Sequence, residues 1–256
     1  MNPNRKPTTL KYYDDMRELQ STGTILSSSM GDDGRHILVL DSTIFHPQGG
    51  GQPSDTGSIS NPEFSFVVQD VRFKEKIVYH YGYFEGSQEG ASERNIESGT
   101  QVLLRVDELR RRINSRLHSA GHLLDVCMKT VGWDHLEPTK GYHFPDGPYV
   151  EYKGAISQDE LKAKQNELEV EANNLIMKGG KVSVFVLPYD KASELCGGSL
   201  PDYIPKDSTP RIVKLDDNPG CPCGGTHVSD ISEISRLKVS QIRTKKGQTK
   251  VFYNVE

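Results

Sequence analysis

The sequence predicts an α+β protein, on three observations. Short β-favouring segments fill residues 1 to about 95, two long segments carry apolar residues at helical spacing, and further short apolar runs close the chain. A length of 256 residues accommodates one large domain or two smaller ones, each with its own core. The polar segment GSQEGASERNIESGT (86–100) reads as a connector, so the expected domains are 1–95 and 96–256.

In the first part KYYDDM (11–16), HILVLD (36–41), FSFVVQDVRF (64–73) and KIVYHYGYF (76–84) read as strands, separated by Gly, Pro, Ser and Asp. The glycine-rich loop FHPQGGGQPSDTG (45–57) lies between two of them. A helix follows over DELRRRINSRLHSAGHLLDVCMKTVG, where Leu109, Ile113, Leu117, Leu124 and Met128 recur at helical spacing and Gly132 is a stop. A second helix starts at a capping-box pattern, Ser157 with Glu160. It carries Leu161, Leu168, Leu175 and Ile176 on one stripe and ends at Gly179. VSVFVL (182–187) reads as a buried strand. RIVKL (211–215) and the run 236–255 read as further strands, the last pair turning at Lys246-Gly247.

Charged residues make up 26% of the chain and apolar ones 34%, which excludes a disordered chain. The net charge of −4 argues against indiscriminate coating of nucleic acid but leaves room for a local basic patch. Four cysteines, Cys127, Cys196, Cys221 and Cys223, are too few for a disulfide scaffold of this size and read as reduced thiols. With no signal-like N-terminus and no apolar window of spanning length, a cytoplasmic protein without a membrane partner is expected.

Chemistry concentrates at two places. His118 and His122 in HSAGH are four residues apart, so on a helix both imidazoles face the same way. In CPCGGTH, Cys223 and His227 are again four apart, and Gly224 and Gly225 let the backbone wrap both ligands round one point. Three histidines and a thiolate suit tetrahedral zinc, one ion per chain. Cys221 is the alternative sulfur ligand, but Pro222 restricts its backbone and directs it elsewhere, as a small buried side chain. In the glycine-rich loop, Gly49, Gly50 and Gly51 expose N–H groups for close approach to a ligand's oxygens, with Gln52 as a neighbouring polar contact. Arg110, Arg111, Arg112 and Arg116 crowd the start of the first helix, and Lys245, Lys246 and Lys250 the terminal hairpin. These are the candidate phosphate contacts.

HSAGH followed about a hundred residues later by CGGTH resembles the HxxxH and CxxxH signature of the editing domains of alanyl- and threonyl-tRNA synthetases. FHPQGGGQPSDTG looks like the glycine-rich motif of the alanyl branch, in the form typical of the free-standing AlaX editing proteins, and KGYHFPDGPYVEY (140–152) is similar to that family as well. The resemblance runs from about residue 38 to the C-terminus. It implies a small β-barrel-like N-terminal domain and a C-terminal editing core of helices packed on an antiparallel sheet. It also implies a trans-editing hydrolase that cleaves serine, or glycine, from mischarged tRNA(Ala) and does not itself charge tRNA.

Thr139, with Lys140 and Gly141 beside it, falls where the alanyl family places a polar pocket residue. A hydroxyl-binding pocket there would reject alanine by leaving its own polar groups unpaired. No catalytic side chain is expected beyond a water on the metal, and His143 and Glu151 are expected in structural roles. Two other readings stand beside the editing hydrolase. One is a non-catalytic zinc-stabilised module that binds tRNA or a synthetase, which four protein ligands would favour. The other is a zinc hydrolase of small esters or amides.

Overall fold

The computed structural model describes residues 6–86 and 96–256, so most of the expected connector, residues 87–95, lies outside the described residues. The chain is α+β and divides into two compact units, residues 1–49 with 53–112 and residues 50–52 with 113–256.

The first unit is a closed antiparallel barrel. A short parallel pair, β1 (Thr9–Leu10) with β4 (Ser42–Thr43), flanks it. The barrel strands are β2 (Gln20–Met30), β3 (His36–Leu40), β5 (Gly57–Asn61), β6 (Phe64–Lys74), β7 (Ile77–Phe84) and β8 (Gln101–Val106), ordered β2-β3-β7-β6-β5-β8. The unit therefore extends past residue 95 to take β8. Closure removes every free edge. Inward residues alternate along the strands, so Ile25, Leu38, Leu40, Ile59, Phe66, Val68, Phe84, Val102 and Leu104 fill one core. KYYDDM is not a strand. Lys11–Tyr13 form a single 3-10 turn in which the Asp14 and Asp15 N–H groups both donate to the Lys11 carbonyl.

In the second unit, α1 (Glu108–Thr130, entering from residue 113) buries Leu117, Leu123, Leu124, Cys127 and Met128 and stops at Gly132. Leu109, expected on that stripe, is 79% exposed, because the apolar face begins a turn later. β9 (Glu137–Tyr142), β10 (Tyr149–Lys153), β14 (Leu237–Lys245) and β15 (Gln248–Val255) form an antiparallel sheet ordered β14-β15-β10-β9. Trp133 packs in the same core, as do Tyr152, Val251 and Tyr253. The β14–β15 hairpin turns at Lys246 (φ 53°) and Gly247 (φ 74°), the double positive φ of a type I′ turn.

Helix α2 (Gln158–Lys178) lies against β14 through Leu168, Ala172 and Ile176. Its polar residues close that strand's edge. Asn173 donates to Leu237 O at 2.7 Å and accepts from Leu237 N at 3.0 Å, Gln165 donates to Val239 O, and Glu169 accepts from Val239 N. The expected capping box at its start is not formed, because the Ser157 hydroxyl donates to the Glu160 carboxylate at 2.6 Å and caps no backbone N–H. A reciprocal box instead links Asp230 and Glu233 at the 3-10 turn Ile231–Ile234.

A second sheet joins β11 (Val182–Val186), β12 (Arg211–Leu215) and β13 (Cys221–Pro222), with α3 (Tyr189–Leu195) between the first two in sequence. β11 is an edge strand and not a buried one: Val186 is 57% exposed. Among the described residues no helix is long and apolar enough to cross a membrane.

Asp125 on α1 accepts a 2.6 Å hydrogen bond from the Tyr152 hydroxyl, and burial pushes its pKa up to about 6. Because the folded value lies above the unfolded one, the folded state binds the extra proton and stability falls as pH rises from about 4 to about 6. Asp125→Asn keeps the hydrogen bond and removes the charge. It is expected to stabilise the protein by on the order of 2 kcal/mol at neutral pH, with no gain near pH 4. Denaturant melts of both proteins across that range check this, and a gain that is equal at both ends refutes it.

Candidate metal centre

The second unit brings His118, His122, Cys223 and His227 together, with one potential ligand atom from each lying within 4.8 Å of the others. α1 supplies the two histidines a turn apart, and the loop after β13 supplies the other two. Cys223 Sγ lies 3.5 Å from His118 Nε2 and 3.2 Å from His227 Nε2. Tetrahedral zinc with nitrogen and sulfur ligands separates its donors by about 3.3–3.6 Å, so the sulfur and these two nitrogens stand near such separations and the donor types suit the ion, while the widest pair would have to close on it.

Other side chains fix how the imidazoles present themselves. Gln52 Oε1 accepts from Thr226 N at 2.9 Å, and Gln52 Nε2 donates to Thr226 Oγ1 at 2.9 Å, which sets the amide's orientation. The same Oε1 lies 2.7 Å from His118 Nδ1, so that nitrogen carries the proton and Nε2 is left as a lone pair facing Cys223. Ser115 Oγ completes the chain at 2.7 Å from Thr226 Oγ1. His227 Nδ1 meets Ser119 Oγ at 3.1 Å. Burial pushes the pKa of His122 down to about 4, which keeps its imidazole neutral, as ligation requires.

Cys223 is pulled both ways. Burial raises its thiol pKa, while the Gly225 N–H pointing at Sγ and the positive charge of Arg211 lower it. Arg211 also holds the loop's shape, donating to Cys223 O at 2.7 Å and Gly225 O at 2.9 Å. Cys221 is not the detached buried residue that its proline suggested. It is half-buried, with Sγ 2.7 Å from His122 Nδ1 on the rim of the cluster.

A fourth ring joins the group. His143 stacks on His118 at 4.5 Å between centroids and 23° between planes. Tyr253 donates its only proton to Leu117 O at 2.9 Å, so its oxygen accepts from His143 Nδ1 at 2.6 Å and His143 Nε2 is unprotonated. The ring sits where side chains are absent: a Cβ on Gly121 would lie 2.4 Å from its Cε1, and one on Gly141 2.3 Å from its Nε2. Burial pushes its pKa down to about 3, helped by His122.

The remaining sequence candidates are dispersed. Gly50 and Gly51 take positive φ, and Gly51 accepts from His143 N at 2.8 Å, while Gly49 belongs to the first unit. Thr139 and Lys140 are exposed on β9, where Thr139 donates to Glu151 O. Arg110 donates to Ser54 O and Arg112 is exposed, but Arg111 is buried against Asp55. Arg116 is half-buried and binds the carbonyls of Glu233, Ile234 and Glu256. Lys245 and Lys246 are exposed, and Lys250 pairs with Glu151 at 3.1 Å. Sequence reasoning missed Arg211, Ser119 and the clamp around His143. Ser119, inside HSAGH, and Thr226, inside CGGTH, carried a signal by lying within the motifs.

A family model described as tRNA synthetases class II (A) matches residues 5–110. The alanyl-tRNA editing protein AlaX-L of Pyrococcus horikoshii is 32% identical over 209 residues, covering 81% of this chain and 48% of its own length. The alanine–tRNA ligases of Methanosarcina acetivorans (30% identical) and Korarchaeum cryptofilum (32%) align over 91% and 93% of this chain, and over 24% and 25% of their own lengths. The chain thus spans about half the length of the editing protein and a quarter of the ligases. Over most of its length the chain is thus a sequence relative of an alanyl-tRNA editing protein and of part of alanine–tRNA ligases, and three of its histidines gather with one cysteine at one point.

Proposed function

We propose that the chain hydrolyses the ester of tRNA(Ala) mischarged with serine or glycine, in the cytoplasm, at a zinc site formed by His118, His122, Cys223 and His227. The observation that supports this most is the meeting of those four donors within 4.8 Å of one another, with the sulfur 3.5 and 3.2 Å from two of the nitrogens, in a chain related to alanyl-tRNA editing proteins. An aminoacyl ester is already activated, so its hydrolysis needs positioning and charge stabilisation more than a strong nucleophile. Zinc, when bound, supplies Lewis-acid character at the ester carbonyl. The chain's own residues do the rest. Gln52 and Thr226 hold His118 in one tautomer, Arg211 holds the Cys223 loop, and the lone pair of His143 Nε2 offers a fixed acceptor beside them.

Incubation with Ser-, Gly- and Ala-tRNA(Ala) tests the proposal. Serine or glycine release well above alanine release is expected, with at least a hundredfold loss in His227→Ala. Intact Ser- and Gly-tRNA(Ala) after incubation with zinc-loaded protein would refute it. Four protein donors also favour a second reading, a structural zinc in a binding module. Chelation separates the two: a folded, inactive apo-protein supports the hydrolase, and an unfolded one the module.

A further inference from the structure

The outer face of the four-stranded sheet carries an aromatic and basic surface that the metal centre does not use. On β10, Val150 and Tyr152 point into the core, which leaves Tyr149, Glu151 and Lys153 on the opposite face. Pairing sets Tyr142 and Phe252 on either side of Tyr149, Lys140 and Lys250 on either side of Glu151, and Arg243 beyond Lys250. The rings form one continuous band. Phe144 stacks on Tyr142 at 4.5 Å and 10°, Tyr142 on Tyr149 at 5.4 Å and 20°, and Phe252 adjoins Tyr149 at 5.4 Å. Cations lie over them, with Lys250 Nζ 4.1 Å from the Tyr149 ring centre and Arg243 Cζ 5.6 Å from that of Phe252.

The strands of this face carry Lys140, Lys153, Arg243, Lys245 and Lys250 against Glu137 and Glu151, and each of those carboxylates is paired with a lysine. An excess of positive charge on one face of a chain whose net charge is −4 marks an anionic partner. Half-buried rings mixed with those cations narrow it further. Unpaired bases offer π-faces for stacking and their phosphates meet the cations, whereas a duplex hides its base faces and would use only the charges.

We propose that this sheet face binds single-stranded RNA. On the editing reading above, on which this identification of the strand rests, the segment is the unpaired end of the tRNA that carries the amino acid.

Fluorescence anisotropy with a labelled, uncharged single-stranded RNA ending in CCA, and with the same RNA in a duplex, tests the proposal. The single strand is expected to bind more tightly, Tyr149→Ala to weaken it about tenfold, and Tyr149→Phe to bind as the unaltered protein does. Arg243→Glu, at an exposed position, is expected to weaken binding and flatten its salt dependence. The proposal is overturned if the unaltered protein does not bind the oligonucleotide, if the duplex binds better, or if both Tyr149→Ala and Arg243→Glu bind unchanged. No ester is cleaved in this assay, so it is independent of the hydrolase reading. Oligonucleotide binding with these dependences but without deacylation would sink the enzyme and leave the platform standing. Deacylation with no effect of either substitution would do the reverse.

Discussion

Gly225→Ala is expected to abolish metal retention, taking zinc from about one ion per chain to less than about a tenth of that in the purified protein. A Cβ at this position would lie 2.2 Å from His118 Cε1, 2.3 Å from His118 Nδ1 and 2.8 Å from Gln52 Oε1. Such contacts force something to move, and the ring has nowhere to go. Its far face is stacked on His143, and His143 is itself held between Gly121 and Gly141 with its Nδ1 bonded to Tyr253. Turning His118 away would break its 2.7 Å bond to Gln52 and lose the proton placement that frees Nε2 for a metal. Elemental analysis of the variant beside the unaltered protein checks this, with circular dichroism to show that the fold persists. A folded variant with full zinc content would show that the loop carrying Cys223 shifts freely, and that the cluster's geometry does not depend on this close approach.

The four clustered donors were legible because their spacing is a local code: one helical turn fixes His118 relative to His122, and a tight glycine loop fixes Cys223 relative to His227. What orients them was not, because those partners are remote in the chain. Gln52 and Thr226 are 174 positions apart, and no pattern around either announces the other. The barrel shows the same limit. β2, QSTGTILSSSM, and β5, GSISN, are too rich in serine and glycine to signal strands, and barrel neighbours decide them. KYYDDM failed the opposite way, since its aromatic residues suggested a strand where two aspartate N–H groups close a turn. Arg111 was read as a candidate phosphate contact, yet it follows the same phase as Ser115, His118 and His122, at steps of four, three and four. That phase marks the buried side of the helix and was available in the sequence.

Asp55→Ala is expected to destabilise the barrel unit by about 3–5 kcal/mol, because it strands a buried guanidinium. Asp55 is fully buried and Arg111 only 4% exposed, and the pair is closely fitted: Nε lies 3.1 and 3.0 Å from the two carboxylate oxygens and Nη2 2.5 Å from Oδ2. Nη1 also donates to Met16 O and Nη2 to Ile44 O, and Asp55 Oδ2 also accepts from His46 N at 2.6 Å. Hydrogen bonds at all three guanidinium nitrogens and at both carboxylate oxygens offset the desolvation of the two charges, and removing one partner leaves that cost uncompensated. The opposite partner loss, Arg111→Met, is expected to cost a similar amount, since it leaves a buried carboxylate with one backbone donor. The double variant Asp55→Ala/Arg111→Met buries no charge, so its loss should fall below the sum of the singles by about 2 kcal/mol or more. Denaturant unfolding of the four proteins measures that coupling. Additive losses would mean that water reaches the pair and relieves each orphaned charge separately, which the burial of both side chains opposes.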